Sequence, residues 1–465
     1  MRQAATAGGG VMGRWIEQWD PEDERFWHEG GGRQVARRNL AFSVLSEHIG
    51  FSVWSLWSVM VLFMGPAYGV DPAGKFFLVA MPTLVGGVLR VPYTFAVAVF
   101  GGRNWTVVSA TLLLVPTIAA AFVVRPGVSY ATLMVVAALT GVGGGNFASS
   151  MTNINSFYPL REKGFALGLN AGGGNVGVAA IQLVGLLVIG TAGAAHPRVV
   201  LAVYIPLIVV AAVLAALFMD NLAPVRNDTG AAVDAARDPH TWIMALLYVG
   251  TFGSFIGFSF AFGLVLQNQF GRTPLQAADL TFIGPLLGSL VRPVGGRLAD
   301  RFGGGQITWW NFLAMAAAAG VVVAASQARS LAAFLVGFIV LFALSGLGNG
   351  SSYKMIPGIF QKKAEARGLT GEAAAAYGRR LSGASMGLIG AVGALGGVGI
   401  NLAFRESFLD AGSGTPAFVA FLGYYAVCFA LTWVVYLRPA GGARGGSRKG
   451  EQQAAPAGAE AYAEV

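Results

Sequence analysis

Twelve apolar stretches, each near the roughly 20 residues an α-helix needs to cross a bilayer, punctuate this 465-residue chain and leave it few folds to adopt. A backbone inside hydrocarbon has no water to bond. Its amides are satisfied only within helices or a closed barrel, and stretches this long read as helices. The expected spans are 39–64, 75–100, 104–124, 128–156, 162–190 and 198–219, then 240–268, 276–299, 306–326, 331–360, 376–404 and 415–437. A composition of 55% hydrophobic and 11% charged residues, with a mean hydropathy of +0.62, belongs to a polytopic membrane protein rather than a soluble one.

Between the sixth and seventh spans lies a polar interval carrying Pro224, Arg226, Asp228, Asp234 and Arg237. It divides the spans six and six. The expected organisation is an N-terminal segment 1–38, a six-helix half 39–219, a linker 220–239, a second six-helix half 240–438, and a tail 439–465. That tail, of glycine, alanine and charge without periodicity, reads as disordered. The expected fold class is an all-α membrane protein, with twelve transmembrane helices in two pseudo-symmetric six-helix halves.

The halves repeat one another. Arg90, Phe100, Gly101, Gly102 and Thr106 recur 202 residues later as Arg292, Phe302, Gly303, Gly304 and Thr308, and Gly141, Gly143 and Gly145 recur 205 residues later as Gly346, Gly348 and Gly350. Repeats of this kind are the sequence sign of a transporter whose site lies midway across the membrane, between the halves. Dense glycine in a spanning helix permits close backbone approach or local deformation. An arginine at mid-membrane costs about 2.5–3.5 kcal/mol or more, so one in each half, at matching positions, points to an anion bound between them.

Basic residues give the orientation. Lys75, Arg125, Arg198, Arg272, Arg329 and Arg405 fall on one side, and Arg90, Arg292 and Lys354 lie within spans. All the others among the 31 lysines and arginines fall on the side of both termini, which is therefore expected to be cytoplasmic. The net charge of +9 follows from this topology and from the basic stretch Arg438 to Lys449, and does not argue for nucleic acid. Residues 1–38 lack the apolar core of a signal peptide. One cysteine, Cys428, excludes an internal disulfide, and the four histidines have no metal-ligand spacing. No metal and no cofactor are expected.

The loops after the second and eighth spans read GGRNW (Gly101 to Trp105) and GRLADRFGG (Gly296 to Gly304). In the second, Asp300 is expected to pair with Arg297 or Arg301 and cap a helix end. These loops resemble the loop motif of the major facilitator superfamily, although the first copy lacks the acid. A sharper resemblance follows from GVGGGNFASSMTNINSFYPLREKGFALGLNAGGGNVG (Gly141 to Gly177) and GLGNGSSYKMIPGIF (Gly346 to Phe360). Both are similar to the paired signatures of the NarK-type nitrate/nitrite porter family within that superfamily. WDPEDERFW (Trp19 to Trp27), LRVPYTF (Leu89 to Phe95) and LLYVGTFGSFIGFSF (Leu246 to Phe260) extend the likeness over nearly the whole chain.

The resemblance implies a secondary transporter of nitrate and nitrite in the cell membrane. It implies that Arg90 and Arg292 bind the substrate, that Asn175 and Tyr248 supply hydrogen bonds, and that Phe147 and Phe252 flank it. The chemistry suits: a guanidinium is planar, permanently charged, and able to hold trigonal oxygens with paired hydrogen bonds. Membrane lipid is the only other expected partner, and a monomer is expected to be sufficient.

Two transport modes stay open. With two arginines as the permanent charges of the site, an empty carrier keeps its halves apart by repulsion, and an anion is needed to let them close, which favours nitrate/nitrite antiport. The family also contains nitrate/proton symporters, and the tenth-span motif with Asn349 and Lys354 is closer to those. Glu47, beside His48 in the first span, reads either as the partner of a nearby cation such as Lys354 or as a proton-binding site. A non-transporting nitrate receptor is the alternative from another class, but no signalling segment follows Arg438. An enzyme is not expected, since the chain offers no metal cluster, no Ser/His/Asp set, and in GGGN no phosphate loop.

Overall fold

A computed structural model describes residues 14–438. The tail expected at 439–465 and the first 13 residues lie outside the described part. Twelve helices run back and forth. The first, α1, comprises Gly32–Trp54 and Leu56–Phe63. There follow α2 (Pro72–Phe100), α3 (Gly102–Val123), α4 (Tyr130–Phe157), α5 (Leu160–Ala192) and α6 (Arg198–Phe218). The second half holds α7 (Pro239–Phe270), α8 (Pro274–Phe302), α9 (Gly304–Gln327), α10 (Leu331–Ala366), α11 (Gly371–Ala411) and α12 (Thr415–Leu437).

Eleven of these are long and apolar enough to cross a membrane, and α1 is the exception. Its span is diluted by Glu47, His48 and five serines. Three of those serines return their hydroxyls to the helix: Ser52 to the carbonyl of His48 (2.9 Å), Ser55 to Phe51 (2.8 Å) and Ser58 to Ser55 (2.7 Å). Such back-bonding competes with the helical ladder, and α1 breaks at Ser55. Its partly polar surface is buried by α5, α4 and α6 instead of facing lipid.

Several helices outrun the expected spans. α1 begins at Gly32 rather than 39, because Arg38 and Asn39 are held outside the apolar stretch by Asp220, at 2.5 and 2.8 Å. α11 starts at Gly371 and runs for 41 residues. The N-terminal segment is structured from Arg14 onward. Trp15–Ile16 pairs in parallel with Asn221–Leu222, and a short helix, Glu24–His28, is capped by Asp23. Trp27 packs with Leu40, Ile154, Phe157, Tyr158 and Leu222 in a small second core.

The linker contains the helix Thr229–Arg237, whose N-cap Asp228 accepts from the Ala231 amide at 2.7 Å. It docks on α11 through Arg380, which donates to Asp228 from Nε (2.6 Å) and Nη2 (3.1 Å) and to Asp234 from Nη1 (2.9 Å).

The halves meet along α2 against α11 and α5 against α8. On the side away from the linker, Phe76 of α2 stacks on Phe404 and Phe408 of α11, at 5.4 and 5.3 Å. Two turns beyond the middle, Gln182 of α5 donates to the Ser259 carbonyl of α7 (2.7 Å). That side is closed. On the linker side, a cavity of about 230 Å³ runs between the halves from Arg90 past Phe147, Met151 and Tyr353 to Asp228 and Arg380.

Candidate anion site between the halves

Glycines set the depth of both arginines. A Cβ on Gly144 of α4 would meet Trp54 Cε2 at 2.6 Å and the Gly86 backbone of α2 at 2.9 Å, so only glycine lets α4 lie this close to α2. The buried Gly144 carbonyl then accepts from Arg90 Nε (3.2 Å). In the other half, a Cβ on Gly350 of α10 would lie 2.1 Å from the Arg292 carbonyl of α8. The paired glycine runs are thus packing seams, one behind each arginine.

Arg90 is 1% exposed. Its Nη1 donates to the carbonyl of Gly390, on α11 of the opposite half (2.7 Å), while Nη2 is buried with no partner among the described residues. The guanidinium lies 4.5 Å from the Phe147 ring centre, 4.9 Å from Phe252 and 5.4 Å from Trp54. Arg292, 7% exposed, donates from Nη2 to the Tyr248 hydroxyl at 3.4 Å, and its Nη1 is likewise buried without a partner. Tyr248 stacks on Phe252 (5.3 Å, 12° between planes), so an aromatic pair bridges one arginine to the other.

That pair sits where α7 departs from α-helix. Val249–Gly253 forms a π turn, and Gly253 lies against Gly396 of α11, where a Cβ would approach to 2.9 Å. π turns of this kind recur at functional sites, because the added residue re-aims the side chains beside it. Asn175 of α5 is fully buried, and neither its Oδ1 nor its Nδ2 has a partner among the described residues. The same holds for Asn349 of α10.

The structure therefore brings Arg90, Phe147, Phe252, Tyr248 and Arg292 into one contiguous cluster. Phe147 and Phe252, expected to flank an anion, contact Arg90 itself. Neither arginine forms a salt bridge among the described residues. Two cations withdrawn from water without carboxylate partners, each with a guanidinium nitrogen unbonded, leave the site short of negative charge.

Glu47 lies in a separate nest. Its Oε2 accepts from the Ser150 hydroxyl of α4 and from Asn170 Nδ2 of α5 (2.6 Å), while Oε1 is buried without a donor. His48 turns its Nδ1 to the Gly173 carbonyl (3.1 Å).

The expected pairing of Glu47 with Lys354 is corrected. Lys354 lies on the linker-side part of α10, half exposed, and bridges to Asp300 at the end of α8 (2.9 Å), where both charges remain hydrated. For the same reason Asp300 pairs with neither Arg297 nor Arg301. The guanidinium of Arg301 rests over the Phe302 ring at 5.0 Å.

Trp54, Tyr353 and the carbonyls of Gly144 and Gly390 join the cluster without having been read from the sequence. Gly387, Gly390, Gly393 and Gly396 recur every third residue on α11, and that spacing was the available signal of a face made for close approach. Tyr353, tilted against Tyr248 at 5.4 Å, gave no signal beyond its place in the tenth-span signature Gly346 to Phe360.

Residues 42–399 match the family model described as Major Facilitator Superfamily. The chain is 37% identical to the nitrate/nitrite transporter NarU of Salmonella typhimurium, over 94% of this chain and 97% of that protein. It is 32% identical to the probable nitrate/nitrite antiporter NarK2 of Thermus thermophilus, over 92% and 98%. Among solved structures, the partially occluded inward-open xylose transporter XylE from E. coli superposes with a TM-score of 0.65 over 86% of this chain and 98% of that one. At 12% identity, that likeness concerns the fold.

Proposed function

The chain belongs to the nitrate/nitrite porters of the major facilitator superfamily, and on that premise we propose that it exchanges nitrate for nitrite across the cell membrane by alternating access. One observation carries the reading. Arg90 Nη2 and Arg292 Nη1 are buried donors without partners, contributed by opposite halves and joined through the Phe252–Tyr248 stack. A small planar monoanion supplies the acceptors and the charge that these two groups lack.

The cycle follows from the charges. With no anion bound, the two guanidinium groups repel, and closing the cavity around them is unfavourable. An anion accepting from both draws the halves together, so it binds the closed state better than either open one and lowers the barrier to passage. Nitrate and nitrite share the charge and the planar oxygens, so either can promote the crossing. Asn175, unpartnered and buried, is the further donor for an oxygen that the arginines leave free. Tyr248 holds Arg292 in place, and the rings of Phe147 and Phe252 keep water from the Arg90 face.

The bias of lysine and arginine supports a topology with both termini and the linker in the cytoplasm, so the cavity between Arg90 and Arg380 faces inward. Because both arginines come from one chain, a monomer is sufficient. Labelled nitrate uptake into proteoliposomes tests the exchange. In the absence of a proton gradient, vesicles preloaded with nitrite should take up nitrate many times faster than vesicles without an internal anion. Equal rates in the two would sink the proposal.

A further inference from the structure

We propose that the groove between α1 and α5, at the linker-side membrane surface, binds one anionic phospholipid of the inner leaflet, with Arg33 and Arg37 holding its phosphate. The proposal uses the topology argued above and does not depend on which anion the carrier exchanges.

Glycines fix where the groove begins. A Cβ on Gly177 of α5 would lie 2.1 Å from the His48 carbonyl of α1, and one on Gly173 would meet Val44 Cγ1 at 2.4 Å, so the helices touch along this seam. Toward the linker side the seam ends. Phe165 and Leu169, one turn apart on α5, stand 74% and 48% exposed, and the helices part around a groove of about 370 Å³. A groove of that size takes part of a lipid and not only a small ion.

Its lining changes character along its length. On α1, Arg33 and Arg37 give way to Val44 at helical spacing, and on the facing side Glu162 gives way to Phe165 and Leu169. The polar end lies at the linker-side surface and the apolar end within the membrane. A phospholipid presents its headgroup and chains in the same order, and the inner leaflet is the one that carries anionic lipid.

The polar end is short of negative charge. Glu162 accepts from Trp27 Nε1 at Oε1 (2.9 Å), while its Oε2 stands 3.6 Å from Arg33 Nε. That separation is too long for a hydrogen bond, and Arg33 Nε is buried without a partner among the described residues. Arg37, exposed one turn on, has no carboxylate or hydrogen-bond partner among them either. Tyr158 supplies a third unmet group. It is 2% exposed, sets its ring against Trp27 at 5.6 Å, and leaves its hydroxyl unpartnered where both arginines act on it through space.

Two guanidinium groups and one carboxylate leave a single positive charge, which a phosphodiester neutralises. Arg33 and Arg37 donate to its oxygens as charged, planar forks, and Tyr158 adds a neutral donor. A zwitterionic headgroup brings a cation to the same arginines and is disfavoured. Because α1 and α5 belong to one half, the lipid fastens them together without tying the two halves to each other.

The test uses the full-length protein, delipidated in neutral detergent, with phosphatidylglycerol and phosphatidylcholine of identical chains. Native mass spectrometry counts the lipid retained at increasing concentration. Each basic residue beside an anionic headgroup gives roughly a fivefold preference, so phosphatidylglycerol should bind roughly 5- to 25-fold more tightly. Arg37→Gln, which removes no contact within the fold among the described residues, should lower that preference about fivefold and leave nitrate binding unchanged. Ala41→Trp fills the groove from an exposed position and keeps both arginines, so it should abolish the tight site. Equal retention of the two lipids by the wild type overturns the proposal, as does an Arg37→Gln protein that keeps the full preference. Displacement of the lipid by inorganic phosphate at equal concentration also overturns it, since the site would then read phosphate alone. Failure of the exchange reading is a different result, because lipid retention is measured without nitrate.

Discussion

Arg90 of one half donates to the backbone carbonyl of Gly390 in the other, at 2.7 Å. The residue that most needs an anion is thus also a polar tie across the moving interface. One donor of its guanidinium holds the halves in register, a second holds the Gly144 carbonyl within its own half, and a third is left for a ligand.

Arg90→Lys and Arg292→Lys should each lower nitrate transport by roughly 10- to 150-fold, equivalent to about 1.5–3 kcal/mol for a lost charge-assisted hydrogen bond. An ammonium keeps the charge but not the planar fork, and in the Arg90 variant it cannot reach Gly144, Gly390 and an anion together. Initial rates of labelled nitrate uptake at matched protein levels check this. Wild-type rates in either variant would exclude that arginine from the site.

Tyr248→Phe should have a smaller effect. The ring stays stacked on Phe252, and only the hydroxyl at 3.4 Å from Arg292 Nη2 is lost. A hydrogen bond that long contributes at the low end of about 0.5–1.5 kcal/mol, so nitrate affinity should weaken by roughly two- to fivefold. Equilibrium binding of nitrate to the purified variant gives the number, and a loss beyond about 100-fold would mean that the hydroxyl touches the anion directly.

The helices were legible because hydrocarbon allows so little else, and the arginine pair stood out because charge at mid-membrane is costly. Backbone contacts were not legible in the same way. Nothing in the identity of Gly390 says that its carbonyl receives Arg90, because any residue has a carbonyl and only the packing of α2 on α11 presents this one. The π turn at Val249–Gly253 has the same character, since it is fixed by the seating of Gly253 on Gly396 rather than by local propensity. Lys354 was read by depth along α10, whereas its long side chain carries the charge out to Asp300 and water. The packing of Trp15 to Trp27 was not legible from its own residues because its partners, Phe157, Glu162 and Asn221, lie far along the chain.

Gly350→Ala should damage the second half selectively. The new Cβ would sit 2.1 Å from the Arg292 carbonyl and 2.7 Å from the Gly296 amide, both backbone atoms that no side-chain rotation can clear. Overpacking of this kind costs about 1–3 kcal/mol, and relief requires α8 to shift, carrying Arg292 with it. A lowered Tm and a loss of transport should appear together. Gly383→Ala, where a Cβ on α11 meets nothing within 4 Å, is the matched control and should not lower Tm, since alanine is the better helix former.

Docking of the linker should be insensitive to pH across the physiological range. The paired hydrogen bonds from Arg380 hold the Asp228 carboxyl below the usual carboxylate range, helped by the Ala231 amide. A lowered folded value means that the contribution is fully present above the ordinary carboxylate value and disappears only as pH falls through the folded one. Because the pair is exposed, solvent screening keeps its energy small, and its effect should be local. Amide hydrogen exchange of the helix Thr229–Arg237, corrected for the intrinsic pH dependence of exchange, should therefore show constant protection between about pH 5 and 8. Arg380→Gln, which removes the bonds to both Asp228 and Asp234, should reduce that protection several-fold at pH 7. Protection that already falls between pH 8 and 6 in the wild type would show that the carboxylate of Asp228 is not what fastens the linker to α11.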